Sequence, residues 1–245
     1  MKKIFLILII AASGAFIYLK IQTLTDDSSA FNQTTRYELG KRGWVRTILG
    51  LHKDGDARLE YLQGTTPLIV EVVQSKSAAL PDEALSNFVA KVSEYTGRNV
   101  IVYNVDTIDN AKVTMEKIPE IVENNRRHLV LGEPNLFIIF AEDFDGEDSE
   151  VARTVEEYGM ILSSSKLREL TSAFSPAFPQ YVESTLLHEF GHQLGLPHNE
   201  RPECVMNSSV ESPLGALSFS LPTTPTRFCP FELNQLQEIK KKFQQ

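Results

Sequence analysis

Residues 187–198 read LHEFGHQLGLPH, and this segment carries the strongest structural signal in the 245-residue chain. His188 and His192 are four residues apart, so on a helix both imidazoles leave the same face about one turn apart. Two ring nitrogens at that spacing can reach one zinc ion at about 2.0–2.1 Å. The H-E-x-x-H pattern therefore predicts a helix over Tyr181–Leu194 that presents two metal ligands on one side.

A third histidine follows at a position where the chain can turn back. Gly195 can adopt the left-handed conformation that ends a helix, and Pro197 disfavours its continuation. The reversal can bring His198 toward the other two imidazoles as a third ligand. Three protein ligands leave the fourth tetrahedral position open, which is typical of a catalytic zinc. We therefore expect one catalytic Zn²⁺ held by His188, His192 and His198.

Glu189 is the predicted catalytic acid and base. Its side chain is rotated about 100° around the helix from that of His188, too far to bind the same ion comfortably. It can instead take a proton from an attacking water and pass it to the leaving amine. A chance match to the five-position pattern is on the order of one in a hundred thousand at this chain's residue frequencies. The pattern therefore favours a zinc-dependent hydrolase.

The composition excludes several other classes of protein. The chain has 24 Lys and Arg against 32 Asp and Glu, a net charge of −8, which disfavours a nucleic-acid-binding surface. A hydrophobic fraction of 42% is that of an ordinary globular protein. Two cysteines exclude a cysteine-dense scaffold and, by themselves, a four-cysteine zinc site.

The amino terminus has the composition of an export or anchoring segment. Residues 4–19 are sixteen positions without a charge, preceded by two lysines and followed by Lys20. As a helix they rise about 24 Å, short of the ~30 Å hydrocarbon core, and the flanking lysines could cover the deficit. We expect residues 1–20 to anchor an extracytoplasmic protein in the membrane through 4–19. Cleavage near Ala12–Ala15, followed by secretion, is the alternative.

The remainder of the chain reads as a polar linker and one catalytic domain. Residues 21–43 are rich in Thr, Ser, Asp, Asn and Gln, as in a spacer, and residues 44–245 form the predicted domain. Its strands and helices alternate, which predicts an α/β fold with a mixed or parallel sheet. The predicted strands are Pro67–Val73, Asn99–Val105, Asn135–Ala141 and Met160–Ser163, and the predicted helices are Pro81–Tyr95, Lys112–Asn125, Tyr181–Leu194 and Glu232–Phe243.

The histidine pattern, followed by Met206, resembles the metzincin clan of zinc peptidases. In that clan the methionine lies in a turn below the three imidazoles without binding zinc. The resemblance implies an upper lobe, to about residue 195, in which helices pack on a twisted mixed sheet. It also implies a small, mostly irregular or helical lower lobe over 196–245, with zinc in the cleft. The substrate would be a peptide or protein that pairs with Asn135–Ala141 as the edge of the sheet, and an ordinary core strand is the alternative for that segment.

Within the clan, the downstream residues are most similar to the archaemetzincins, in which four cysteines hold a second, structural zinc. Cys204 matches that pattern, and Cys229 matches the first cysteine of the later pair, whereas Asn199 and Glu232 stand where the other two would be. Two thiolates alone make a poor closed site, so we expect the second zinc to be absent. Without it Cys204 and Cys229 could form a disulfide, and two free buried thiols are the alternative.

The remaining titratable candidates have structural interpretations. His52 and His128 lack metal-ligand spacing and are expected to be structural or surface residues. Two further functions stay open: hydrolysis of a non-peptide amide such as a cell-wall component, or a catalytically silent, zinc-stabilised binding module. The intact Glu189 disfavours the module, because a pure binding protein needs no base at that position.

Overall fold

The computed structural model describes residues 2–25, 29–109, 111–128, 133–147, 150–172, 175–208 and 224–243. Residues 1, 209–223 and 244–245, which belong to the predicted anchor and lower lobe, lie outside this part of the chain.

A five-stranded mixed sheet forms the centre of the fold. Its strand order is β2-β1-β4-β7-β6, in which β6 is antiparallel to β7 and the other pairs are parallel. The β-branched and aromatic runs predicted as strands therefore pair in one sheet, with their ends shifted by a few residues. The strands are β1 (Leu68–Ser75), β2 (Val100–Ile108), β4 (Asn135–Ala141), β6 (Ala152–Val155) and β7 (Gly159–Ser163), and a separate parallel pair comprises β3 (Lys112–Val113) and β5 (Asp143–Phe144).

Helices cover both faces of the sheet, which confirms the predicted α/β fold class. The helix predicted over Lys112–Asn125 is shorter than expected, because β3 and a 3₁₀ turn at Met115–Lys117 precede it and Pro119 lies at its start. The helices are α1 (Lys2–Thr23), α2 (Arg36–Gly40), α3 (Gly43–Leu49), α4 (Arg58–Leu62), α5 (Asp82–Thr96), α6 (Ile118–Asn125), α7 (Ser164–Leu170), α8 (Phe178–Gln193) and α9 (Pro230–Lys242).

The core lies on the two faces of this sheet. Phe88 of α5 and Phe190 of α8 pack in the larger cluster, and α6 contributes Ile118 and Ile121 to the smaller one on the other face. All seven residues of β4 are buried, because β1 and β7 flank it and both of its faces are covered. The prediction that β4 is the edge of the sheet is therefore wrong: β6 and β2 are the edges of the described sheet.

The predicted membrane anchor is also wrong. In the described part of the chain, no helix is both long enough and apolar enough to cross a membrane. The uncharged run of sixteen residues within α1 ends at Lys20 and is shorter than the ~20 residues that a span requires. The extracytoplasmic location that was predicted from this anchor loses its basis with it.

The segment predicted as a linker contains ordered structure that packs on the domain. A π-helical turn at Phe31–Thr35 leads into α2. Arg36 of α2 forms a buried two-point ion pair with Asp56, at 2.5 and 2.6 Å, and donates to the Thr23 carbonyl at the end of α1. These bonds join the amino-terminal helices to the loop that precedes α4.

Candidate metal centre

The helix α8 carries two of the three histidines and packs against α5, β6 and β7. His188 is fully buried and His192 is half-buried, one turn further along. The Nε2 atom of His198 lies 3.1 Å from Nε2 of His188 and 3.1 Å from Nε2 of His192. The structure therefore brings all three sequence-predicted ligands together, and Nε2 of His198 lies close to both of the others.

The chain reverses immediately after α8. Gly195 has φ 81°, in the left-handed region. Its N–H donates to the His192 carbonyl at 2.8 Å, and the Leu196 N–H donates to the Gly191 carbonyl at 2.9 Å. This pair of bonds is the arrangement of a Schellman motif, which satisfies the last carbonyls of a helix as the chain turns away. The turn carries His198 back over the two helical imidazoles.

The donor set fits a zinc ion. Two nitrogens that bind one tetrahedral zinc at about 2.0–2.1 Å lie about 3.3–3.4 Å apart, close to the observed spacing of 3.1 Å. Nδ1 of His188 lies 2.7 Å from the carbonyl oxygen of Val205. Because a carbonyl only accepts, Nδ1 carries the proton, and Nε2 presents its lone pair toward the other two rings. Imidazole nitrogen is a preferred zinc ligand.

Glu189 follows His188 on α8 and is 1% exposed. Its position at the next residue of the helix gives it a different direction from that of the two histidine side chains. The structure thus places the predicted acid and base in a buried position on the same helix as two of the candidate ligands.

Met206 lies in a turn packed against α8, and its side chain is fully buried. The contact depends on Gly191, which the sequence reasoning did not single out. A Cβ at Gly191 would overlap the Met206 sulfur and would lie 3.1 Å from its Cε and 3.3 Å from Cε1 of Phe228. In the sequence, a glycine in the interior of a predicted helix is a signal that another segment packs closely at that position.

A disulfide joins Cys204 to Cys229, with a Cα–Cα distance of 5.0 Å. It links the turn before Met206 to the start of α9. Asn199 and Glu232, which stand where the archaemetzincin pattern has two further cysteines, are also in contact. Nδ2 of Asn199 donates to Oε1 of Glu232 at 3.0 Å. Both sulfurs are in the disulfide, and the Glu232 carboxylate accepts hydrogen bonds from protein donors, which is consistent with the expected absence of a second zinc. That absence remains a prediction.

The loop before α4 supports the back of the Gly195 turn, which the sequence did not indicate. A Cβ at Gly55 would lie 3.3 Å from Cα of Gly195. The Arg58 guanidinium lies against Gly195 and 3.5 Å above the Tyr37 ring. Burial lowers the pKa of Arg58, and the neighbouring Tyr37 and Asp56 oppose that shift. These residues are about 140 positions from the turn, so no local pattern could reveal the contact.

His52 and His128 lie in other clusters. Nδ1 of His52 lies 3.1 Å from Oε2 of Glu157. Nδ1 of His128 lies 2.8 Å from Oε1 of Glu71, a fully buried carboxylate on β1 that also accepts from Asn135 at 2.7 Å. Burial opposes ionisation of Glu71, but these bonds and two from backbone N–H groups outweigh it, so its pKa lies below the ordinary value.

Two histidines one turn apart on α8, a third beyond the Gly195 turn, and a buried methionine turn packed against the same helix define a zincin-type arrangement. Among solved structures the chain is similar to an archaemetzincin from Methanopyrus kandleri. The two are 18% identical over 71% of this chain and 96% of that one, with a TM-score of 0.51. A second similar structure is an archaemetzincin from Archaeoglobus fulgidus complexed with malonate, 17% identical over 69% of this chain and 99% of that one, with a TM-score of 0.44.

No protein-family model matches the chain, and a search of curated proteins found no match. At 18% identity, the likeness to the Methanopyrus kandleri structure establishes the fold. The chain has an archaemetzincin-like fold, and the resemblance read from its residues is confirmed at that level.

Proposed function

We propose that this chain is a zinc-dependent metallopeptidase with one catalytic zinc. The observation that carries the proposal is the convergence of three imidazole Nε2 atoms at spacings of 3.1 Å, with the tautomer of His188 set by the Val205 carbonyl. Such a site is already oriented for a metal, because the backbone bond fixes the direction of one ligand. The archaemetzincin-like fold supports the same assignment.

The chain's own residues have distinct roles in the proposed reaction. His188, His192 and His198 would hold the ion. Bound zinc would supply Lewis-acid chemistry, since it polarises a carbonyl group and lowers the pKa of water toward ~7. Glu189 accepts the proton of the attacking water and returns it to the leaving amine. Met206 is fully buried against Gly191 of α8 and would take no part in the chemistry.

The edge of the sheet favours a peptide as the substrate. Among the described strands, β6 pairs on one side only, with β7, and it packs against α8. An extended peptide can add to such an edge through main-chain hydrogen bonds, which do not depend on its sequence. We therefore assign the substrate-binding edge to β6 in place of β4.

The test is a metal analysis combined with digestion of a peptide library. We expect one zinc per chain and cleavage of peptides. Glu189→Ala should keep its zinc and lose about 10²–10⁴-fold in hydrolysis, because only the proton transfer is removed. The matched control is Glu94→Ala, which removes an exposed carboxylate from α5 and should cleave at the wild-type rate.

Four results would contradict the proposal. The wild type could bind no stoichiometric zinc, or Glu189→Ala could hydrolyse peptides as fast as the wild type. Activity on a panel of non-peptide amides without activity on any peptide would favour the alternative amide hydrolase. Zinc binding without hydrolysis of either class would favour a binding module.

A further inference from the structure

Glu232 is a fully buried carboxylate in the first turn of α9, about 40 residues after the end of α8. Both of its oxygens accept hydrogen bonds. Oε2 accepts from the Cys229 N–H at 2.9 Å, which completes a capping box at the start of the helix. Oε1 accepts from the Met206 N–H at 2.6 Å and from Nδ2 of Asn199 at 3.0 Å.

The two groups bound by Oε1 lie next to the candidate metal ligands. Asn199 follows His198 directly, and its N–H donates to the Met206 carbonyl at 2.8 Å. The residue before Met206 is Val205, whose carbonyl accepts from Nδ1 of His188 at 2.7 Å. One carboxylate oxygen therefore connects the segment that carries the third imidazole to the turn that orients the first.

A helix cap explains only half of this arrangement. Capping uses Oε2 alone, and an exposed acid at this position would cap equally well. A buried carboxylate is costly unless its hydrogen bonds are satisfied, and bonds to a charged acceptor are stronger than neutral ones. The amino-terminal end of the 13-residue helix α9 stabilises the negative charge of the Glu232 carboxylate. Its Oε1 atom, which the cap does not use, can therefore accept a strong hydrogen bond from the Met206 turn.

We propose that Glu232 is a positioning residue for the candidate metal centre. It holds the Asn199 segment and the Met206 turn together, so that the His198 imidazole and the Val205 carbonyl are in place before a metal binds. This inference rests on the proposed function, because it takes the three histidines as the zinc ligands. The hydrogen-bonded pair of Asn199 and Glu232, together with the neighbouring disulfide, then fixes the geometry of the segments that carry His198 and the Val205 carbonyl.

The experiment measures Zn²⁺ affinity by chelator competition, and the visible spectrum of the Co²⁺-substituted protein. Glu232→Ala should weaken zinc binding about 10- to 100-fold, as loss of an outer partner of a ligand does. Its Co²⁺ spectrum should change, because the ligand geometry relaxes. Asn199→Ala leaves the helix cap intact and should weaken zinc binding in the same direction by a smaller factor. Two exposed positions of α9 provide controls, Glu238→Ala and Asn234→Ala, which should match the wild type in both measurements.

A third variant separates positioning from simple structural support. Glu232→Gln keeps an oxygen that can accept from Met206 and Asn199 but gives up the acceptor for the Cys229 N–H. It should recover most of the zinc affinity lost in Glu232→Ala while remaining less thermally stable than the wild type. A role in capping alone predicts that the apo-protein melts earlier in both variants, while the zinc affinity and Co²⁺ spectrum of the folded protein stay unchanged.

Every outcome is informative for one proposal or the other. A folded Glu232→Ala protein with wild-type zinc affinity and Co²⁺ spectrum overturns the positioning role. If that variant fails to fold, wild-type affinity in Asn199→Ala overturns it instead. A wild type that binds one zinc but cleaves no peptide overturns only the proposed function, and a wild type that binds no zinc overturns both.

Discussion

Replacement of Gly191 by alanine sets two physical effects against each other. Gly191 lies inside α8, where alanine is the better helix former by about 0.5–1 kcal/mol. In this position, however, a Cβ would overlap the sulfur of Met206 and would lie 3.1 Å from its Cε. We predict that the steric effect wins and that Gly191→Ala destabilises the protein.

The magnitude follows from how closed the site is. Met206 is 0% exposed and Phe228 is 2% exposed, so neither side chain can move into solvent to admit an extra methyl group. Overpacking of a closed core costs about 1–3 kcal/mol. After the gain in helix propensity, the net loss in the free energy of unfolding is about 1–2 kcal/mol.

Urea denaturation of the disulfide-intact apo-protein measures this loss without a contribution from bound metal. Gly14→Ala is the matched control, because nothing lies within 4 Å of its Cβ position in α1, and we expect no loss there. Met206→Ala should cost about 2–5 kcal/mol by itself. In that background Gly191→Ala should become neutral or stabilising, because the sulfur that it meets is gone, so the two changes should couple by about 1–3 kcal/mol.

Two results would refute this reasoning. Gly191→Ala could be as stable as the wild type, which would mean that the methionine turn yields easily. The two substitutions could instead add within about 0.5 kcal/mol, which would mean that their side chains do not compete for the same space.

Three further predictions concern stability and metal affinity. Hydrogen bonds lower the pKa of Glu71, so its contribution to stability is present above its unfolded pKa of about 4.3 and is lost as pH falls through the folded pKa. Glu71→Gln should remove that part of the fall in the free energy of unfolding with decreasing pH, as measured by urea titrations. An unchanged pH dependence would contradict this. Reduction of the disulfide between Cys204 and Cys229, which are 25 residues apart, should lower the free energy of unfolding by about 3 kcal/mol, whereas an unchanged denaturation midpoint would argue against it. Gly195→Ala should cost at least about 1–2 kcal/mol, because the backbone there is left-handed and a Cβ would also overlap the Arg58 guanidinium, and it should weaken zinc binding. Wild-type affinity in a calorimetric titration would show that the turn does not place the third imidazole.

Local patterns were enough to predict most of the secondary structure. The strand predicted over Asn135–Ala141 has those limits in the structure, because a run of apolar and aromatic residues bounded by polar ones depends on neighbours within a few positions. The same holds for the spacing of His188 and His192, which one helical turn fixes. Gly195 also acts locally, through a backbone conformation that glycine adopts without steric cost.

Predictions that needed more than local information fared worse. The expectation that β4 is an edge strand failed, because strand order depends on pairings between segments far apart in the chain. The expected membrane anchor is also wrong, because no described helix is both long enough and apolar enough to cross a membrane, and flanking lysines do not make up for an uncharged run of only sixteen residues.

The sequence alone specified the chemistry of the candidate site: three imidazoles, one carboxylate and a glycine at which the chain can reverse. Only the tertiary structure showed what holds that chemistry in place. The Val205 carbonyl on His188, the Met206 sulfur against Gly191 and the Glu232 carboxylate all come from segments 15 or more residues away from their partners. Ligand types and helical spacing are properties of a few adjacent residues, whereas packing and hydrogen bonds between distant segments exist only once the chain has folded.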